Sequence, residues 1–435
     1  MWQTIVNSFK IKEVRRKILI TIALLFVYRL GCYIPVPGIS SFDGLENYTF
    51  LQILSGVSGG ALQYGTLFAM GIGPYINASI IIQLLTVGIP ALEQLSKQGE
   101  EGRRKINNYT RILTLILAVA QAIGILVAFR NSIKFEYLFG DSGFMQILSY
   151  IFLVLVYTTG AAFTMWLGER ITDYGVSNGI SMLIFAGILS TAGTALLNTI
   201  KDVFVPASAT TAAWSLVGFI IAAILIFGAI VTVESAERKI PVQYAKQVKG
   251  RKMYGGQSTH IPIKVNSSGV MPLIFAFAIL SFPDLIMNLF GLSKDNSSFY
   301  AWWATWMGTG SYLYAVVLCL FILFFSYFYN QMQFNPDDIS KSIQSNGGFI
   351  PGTRPGKPTA DYLRKVSNRI TLFGAIYLAI VALVPSILFR IIAPNGSLVN
   401  VFSATGLLIV VSVALEFDQA LTSQIMMKNY KGFLK

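Results

Sequence analysis

Residues 50–88, FLQILSGVSGGALQYGTLFAMGIGPYINASIIIQLLTVG, decide how the chain must be read. The stretch is apolar enough to enter a bilayer, yet Ser55, Ser58, Gly59, Gly60, Gly65, Gly71, Gly73 and Pro74 break it in the middle. Glycine and proline are the costliest residues inside a helix, so one continuous span is excluded. The pattern predicts a short piece over 50–66, a flexible joint, and a full apolar helix from about 74 to 87. Irregular backbone is tolerated at membrane depth only inside protein or along an aqueous cavity. The expectation is therefore a re-entrant half-helix inside a pore or binding site, with the rest of the chain as its wall.

The composition supports a membrane setting. Of 435 residues, 54% are apolar and 12% charged, against about 25% charged in soluble domains, and the mean hydropathy is +0.62. The start, MWQTIVNSFKIKEVRRK (1–17), runs into the first apolar segment with no small-residue cleavage site, so no removable leader is expected. Cys32 and Cys319 lie far apart in apolar segments, and His260 is the single histidine. Two small buried hydrophobes are the expectation there, with no disulfide, zinc site or other cofactor.

A membrane helix needs about 20 apolar residues. Ten segments meet that need, at roughly 18–34, 73–89, 111–129, 146–167, 179–198, 214–233, 269–290, 312–329, 370–389 and 401–421. With the N-terminus in the cytoplasm, 27 of the 33 basic residues fall in inside segments. Arg130, Lys134, Lys201, Lys294 and Arg390 fall outside, and Arg29 lies within the first span. Cytoplasmic loops carry such an excess of Lys and Arg, so both termini are expected in the cytoplasm. The fold class expected is an all-α polytopic membrane protein of ten transmembrane helices, with the half-helix as an extra. A weakly hydrophilic linker near 199–213 separates an N-terminal half, 1–205, from a C-terminal half, 206–435. Five helices per half would require any duplication to be inverted in the membrane.

Two inside loops are long, at about 234–268 and 330–369. The first has alternating segments, KIPVQYAKQV and STHIPIKV, flanking GRKMYGG, which predicts a β-hairpin. The second holds a Gly/Pro-rich turn, GGFIPGTRPGKP. A recognition surface on the cytoplasmic side follows. Clusters such as Lys246–Lys252 and Arg354 stand away from the membrane, where docking of a charged partner explains them better than topology does.

Catalytic look-alikes fail on chemistry. Gly56-Val57-Ser58-Gly59 and Gly140-Asp141-Ser142-Gly143 resemble serine-nucleophile motifs, but each needs a histidine base within reach. His260 belongs to the opposite side. The sequence GTRPGKP (352–358) has the wrong glycine spacing and Pro358 where a phosphate loop needs Ser or Thr. No enzyme is expected. An ion-coupled secondary transporter is the alternative, and it needs embedded charge. Arg29, Asp284, Glu416 and Asp418 are the candidates, and the three acids lie near helix ends. Ile72, Ile76 and Ile80 recur every fourth residue and share a face, a stripe that packing or lipid contact also produces.

The chain as a whole resembles the SecY family, the central subunits of protein-conducting channels. The resemblance is carried by YIPVPGI (33–39), SGGAL (58–62), FAMGIGPYINASIIIQLL (68–85), GEEGRRKINNYTR (99–111) and WLGERIT (166–172). It continues through SNGISMLIFAGI (177–188), YAKQVKGRKMYGGQSTHIPIKVNSSGVMP (244–272), FNPDDI (334–339), GFIPGTRPGKPT (348–359) and LLIVVSVALE (407–416). It implies two five-helix halves around an hourglass pore that passes unfolded polypeptides and opens sideways to lipid. The implied pore ring is Ile72, Ile76, Ile180, Ile184, Ile274 and Ile409. The implied plug includes Ser55, Gly56, Ser58, Gly59, Gly60, Leu62 and Thr66. Asn77, Gln83, Gln121 and Phe282 would lie near the lateral gate, and Lys249, Arg251, Lys252, Arg354 and Lys357 would dock partners. The implied partners are SecE and SecG subunits, the SecA motor ATPase, the ribosome through its RNA, signal peptides with nascent chains, and membrane lipids. The implied location is the bacterial plasma membrane.

Overall fold

The computed structural model describes residues 2–39, 42, 55–56, 58–129, 133, 138–139, 143–203, 209–244, 247–249, 252–254, 258–267, 269–289, 298–308, 311–392 and 404–432. Helices α1 (Trp2–Lys10), α2 (Lys12–Gly31), α3 (Gly73–Gly88), α4 (Pro90–Lys97), α5 (Glu100–Ala128), α6 (Gly143–Tyr174), α7 (Gly179–Val203) and α8 (Ala209–Glu234) come first. Strands β1 (Glu237–Tyr244), β2 (Gln247–Lys249), β3 (Lys252–Tyr254) and β4 (Ser258–Lys264) follow. Then come α9 (Met271–Leu289), α10 (Ser298–Trp306), α11 (Tyr312–Gln333) and α12 (Pro336–Ser345). The chain ends with β5 (Gly348–Phe349), α13 (Lys357–Ile392) and α14 (Ala404–Gly432).

Each of the ten expected spans overlaps a helix. Among the described residues seven helices (α5–α8, α11, α13 and α14) are long and apolar enough to cross a membrane. The bent pair α3–α4 makes an eighth. Helix α2 falls short because Arg15, Arg16 and Lys17 occupy its start and Arg29 its last turn. The apolar run of α9 is also short, Met271–Leu280.

The break between α3 and α4 has a local cause. Ile89 precedes Pro90, and the proline ring bars its neighbour from helical geometry. Ile89 is accordingly extended, at φ −112° and ψ 113°, and α4 leaves at 101° to α3.

By packing the chain divides into two compact units. The first comprises Met1–Ala213, Ala278–Tyr314 and Asn395–Lys435, the second Trp214–Phe277 and Ala315–Pro394. In the first, α5 packs on α3 and α6, α6 on α7, and α7 on α14. Its core joins Ala118, Ala122 and Leu126 of α5 to Leu153 and Tyr157 of α6, with Leu62, Ala69 and Met70 between them. Small residues on α5 admit this close approach, which in lipid is rewarded by packing rather than by expulsion of water.

In the second unit the two long loops form one body. Strand β1 pairs antiparallel with β4, Glu237 opposite Lys264 through Gln243 opposite Ser258. Strands β2 and β3 make the smaller ladder of the hairpin predicted over this loop. Residues of β1 alternate, with Ile240 and Val242 buried and Pro241 exposed, the period of a half-buried strand. Strand β5 belongs to the other loop and pairs with the far end of β1, at Gln243 and Tyr244. Prolines cannot donate to a ladder. Pro241 stands where β1 has no β5 partner, and Pro262 lies in the edge strand β4. Ile343 of α12, Ile350 and Leu363 of α13 close the core over Ile240, Val242 and Ile263.

Candidate functional site

From Ser58 to Ile72 the backbone is a run of turns. Gly59, Gly60, Gly65 and Gly71 all have positive φ, between 51° and 83°, where side-chain-bearing residues are strained. Successive short bonds close the turns: Gly60 N–H to Ser55 O at 2.8 Å, Gly65 N–H to Leu62 O at 3.1 Å, and Gly71 N–H to Phe68 O at 2.8 Å. Of the short piece expected over 50–66, Ser55 and Gly56 are helical and 58–66 is turns, while 50–54 and Val57 lie outside the described residues. The glycines explain the difference, since three left-handed positions, Gly59, Gly60 and Gly65, leave no room for a continuing helix.

Despite its irregularity this run is deeply packed. Leu62 has 0% exposure, and Ser58 and Thr66 are buried. The Thr66 hydroxyl donates to Ala61 O at 3.0 Å, and Ser58 Oγ to Ser55 O at 3.1 Å. Helix α6 passes directly behind it. Thr164 Oγ1 donates to Gly71 O at 2.8 Å, and a Cβ on Gly160 would collide with the Leu67 carbonyl oxygen. Phe68 stacks between Tyr28 of α2, centroids 6.0 Å apart, and Phe163 of α6, 5.7 Å apart. Polar backbone that cannot meet water must find partners in the protein, and the run does so at α6, at residues that follow α2 (Cys32, Ile34, Val36 and Phe42) and in its own turns.

Helix α3 starts at the end of this run, with Pro74 in its first turn, where the missing N–H costs nothing. Ile72 caps it at 2% exposure and Ile76 follows one turn later, half-buried. On α7, Ile180 is half-buried and Ile184 buried; Ile409 on α14 is buried. These five belong to the first unit. Ile274, on α9 and half-buried, belongs to the second.

Of the residues expected near a lateral gate, Asn77 and Gln83 are half-buried on α3, and Gln83 Nε2 donates to Ser79 Oγ at 3.2 Å. Gln121 of α5 is 4% exposed, with no hydrogen-bond partner for its amide among the described residues. Phe282 is in α9, and its side chain lies outside those described. Of the embedded acids, Glu416 is exposed and accepts from Ser177 Oγ at 3.5 Å.

The candidates for partner docking separate by exposure. Arg354 and Lys357 are exposed, and among the described residues neither forms an ion pair. Their turn is held rigidly, with Thr359 Oγ1 donating to Arg354 O at 2.7 Å and Ser340 Oγ to Gly356 O at 2.6 Å. Arg364, by contrast, is spent on Asp337 at 2.8 Å. Lys249 and Lys252 face each other across β2 and β3; their side chains and all of Arg251 lie outside the described residues.

One pair escaped the sequence reading. Arg111 of α5 forks onto Glu169 of α6, with Nε 2.7 Å from Oε1 and Nη2 2.9 Å from Oε2. The partners are 58 positions apart, and only their separate appearance in GEEGRRKINNYTR and WLGERIT hinted at either.

The SecY family model matches residues 66–417. The SecY protein translocase subunit of Staphylococcus carnosus is 41% identical over 441 residues, covering 100% of this chain and 99% of that protein. That of Mycobacterium tuberculosis is 40% identical over 457 residues, covering 100% of both. Among solved structures a protein-conducting channel superposes with TM-score 0.68 at 20% identity, covering 94% of this chain and 92% of the other. The channel in the canine ribosome-channel complex from the endoplasmic reticulum gives 0.64 at 18%, covering 94% and 92%. Agreement of sequence over the whole length and of fold over nearly all of it has one meaning: the chain belongs to the SecY family.

Proposed function

We propose that the chain is a passive protein-conducting channel of the general secretory pathway. Unfolded polypeptides cross through it, and transmembrane segments leave sideways into lipid. Ile72, Ile76, Ile180, Ile184, Ile274 and Ile409 form its waist. Apolar constrictions dewet and so resist ions without a binding site for substrate, and branched aliphatic side chains yield to a passing chain of any sequence. The run of turns at 58–66, with Ser55 and Gly56, is the stopper on the outer side. Asn77, Gln83, Gln121 and Phe282 flank the sideways exit. The N-terminal and C-terminal halves, 1–205 and 206–435, are the two jaws.

Lys249, Arg251, Lys252, Arg354 and Lys357 dock the partners that supply energy, the SecA motor and the ribosome, while SecE and SecG complete the complex. Relatives of this fold have been solved on ribosomes. The setting is the bacterial plasma membrane with both termini in the cytoplasm, as the basic residues favour.

What most favours a channel over a small-solute transporter is the buried run of turns among apolar helices, adaptable backbone where a transporter would need fixed ligating groups. Reconstitution tests it. Proteoliposomes holding the full chain with its companion subunits should protect an unfolded precursor from external protease once the motor and ATP are added. Saturable, ion-coupled uptake of a small solute with no protected precursor would overturn it.

A further inference from the structure

An arginine within a membrane span is expensive and is retained where it has a task. Arg29 ends α2, half-buried, with its guanidinium 5.2 Å over the Tyr33 ring. Its Nη2 donates to Ser190 Oγ of α7 and, at 3.3 Å, to Tyr33 Oη. The glycine turn passes immediately over this group. A Cβ on Gly59 would strike Arg29 Nη1 and come within 3.2 Å of the Gly187 backbone on α7.

The turn itself hangs from the same two helices. Cys32, just beyond α2, has its Sγ 3.7 Å from Ser58 O as a thiol donor. Thr191, next to Ser190 on α7, donates Oγ1 to Gly56 O at 3.2 Å. The bond from Arg29 to Ser190 therefore ties together the two elements that supply those donors and fixes the distance between them.

We propose that Arg29 is a positioning residue that keeps the glycine turn seated, by bracing α2 against α7 beneath it. This deepens the stopper reading above and rests on it. An opposing effect acts at the same place. Nη1 is buried without a hydrogen-bond partner among the described residues, and a desolvated donor favours release of whatever covers it. The brace outweighs it, because loosening α2 from α7 frees both donors to the turn at once.

Cys32 is 3% exposed and reports the seat. In full-length chain carrying Cys319→Ser, in membranes, the rate of Cys32 alkylation by a membrane-permeant maleimide measures how often the turn lifts. Arg29→Gln and Ser190→Ala should each speed labelling by about fivefold, the factor expected for one net hydrogen bond. Arg29→Lys, which keeps a cationic donor on a long stem, should restore much of the wild-type rate. Ser190→Ala leaves the charge in place and carries the test should the arginine variants fail to fold. Labelling unchanged, or slowed, in folded Ser190→Ala would overturn the proposal, slowing being the signature of a turn expelled by Nη1. The readout follows the seat whether or not polypeptide is conducted, so a failed precursor assay in the unmodified chain is a separate result.

Discussion

Arg354 and Lys357 carry their charges into solvent from a turn whose backbone is bonded at both ends. A charge so placed meets an acidic or phosphate-bearing partner without the added cost of ordering its backbone. Reversal to Arg354→Glu should lower motor-driven export by at least about tenfold, since a like-charge contact costs several kcal/mol. The variant should still insert and melt normally, because the Arg354 side chain is exposed and forms no ion pair among the described residues. Export at the wild-type rate would remove Arg354 from the docking surface. The basic character of this turn was readable from the sequence alone. The isoleucines proposed for the waist were not, except through resemblance: a row of isoleucine on a membrane helix is equally what lipid contact requires. Nor could spacing reveal that Arg29 meets Ser190, 161 positions later.

Among elements, the contact between α6 and the run of turns leaves no room for an added methyl. Gly160→Ala should destabilise the full chain by about 1–3 kcal/mol, the usual cost of overpacking, because the new methyl meets the Leu67 carbonyl rather than a pliable side chain. Gly193→Ala on α7 meets nothing within 4 Å and should be neutral or slightly stabilising, as expected for glycine replaced inside a helix. Thermal unfolding in detergent compares the two, and equal melting temperatures would contradict the packing described for α6. Elements of this chain were legible in proportion to their length. Apolar runs of span length announced α5–α8, α11 and α14, and strict alternation announced β1 and β4. Strand β5 was invisible: Gly348 and Phe349 are too few to show a period, and only pairing with β1 makes them a strand. The turns at 58–66 were half legible, since their glycines forbid one long helix without stating what replaces it.

At the scale of the molecule, function follows from a division of chemistry along the chain. The exposed turn of Arg354 and Lys357 belongs to a body knit from both long loops. Buried irregular backbone belongs to the first unit, and no group of three or more His, Cys, Asp and Glu that could hold a metal occurs among the described residues. On the function proposed above, docked partners drive and the membrane part yields, which suits cargo selected by hydrophobicity rather than by a fitted pocket. Site-specific photocrosslinking from positions 72, 76 and 274 during secretion of a stalled precursor is the most direct test. The account predicts adducts to the translocating polypeptide from all three positions, dependent on the precursor being engaged. Adducts only to lipid or to neighbouring helices, with the precursor stalled in place, would contradict it.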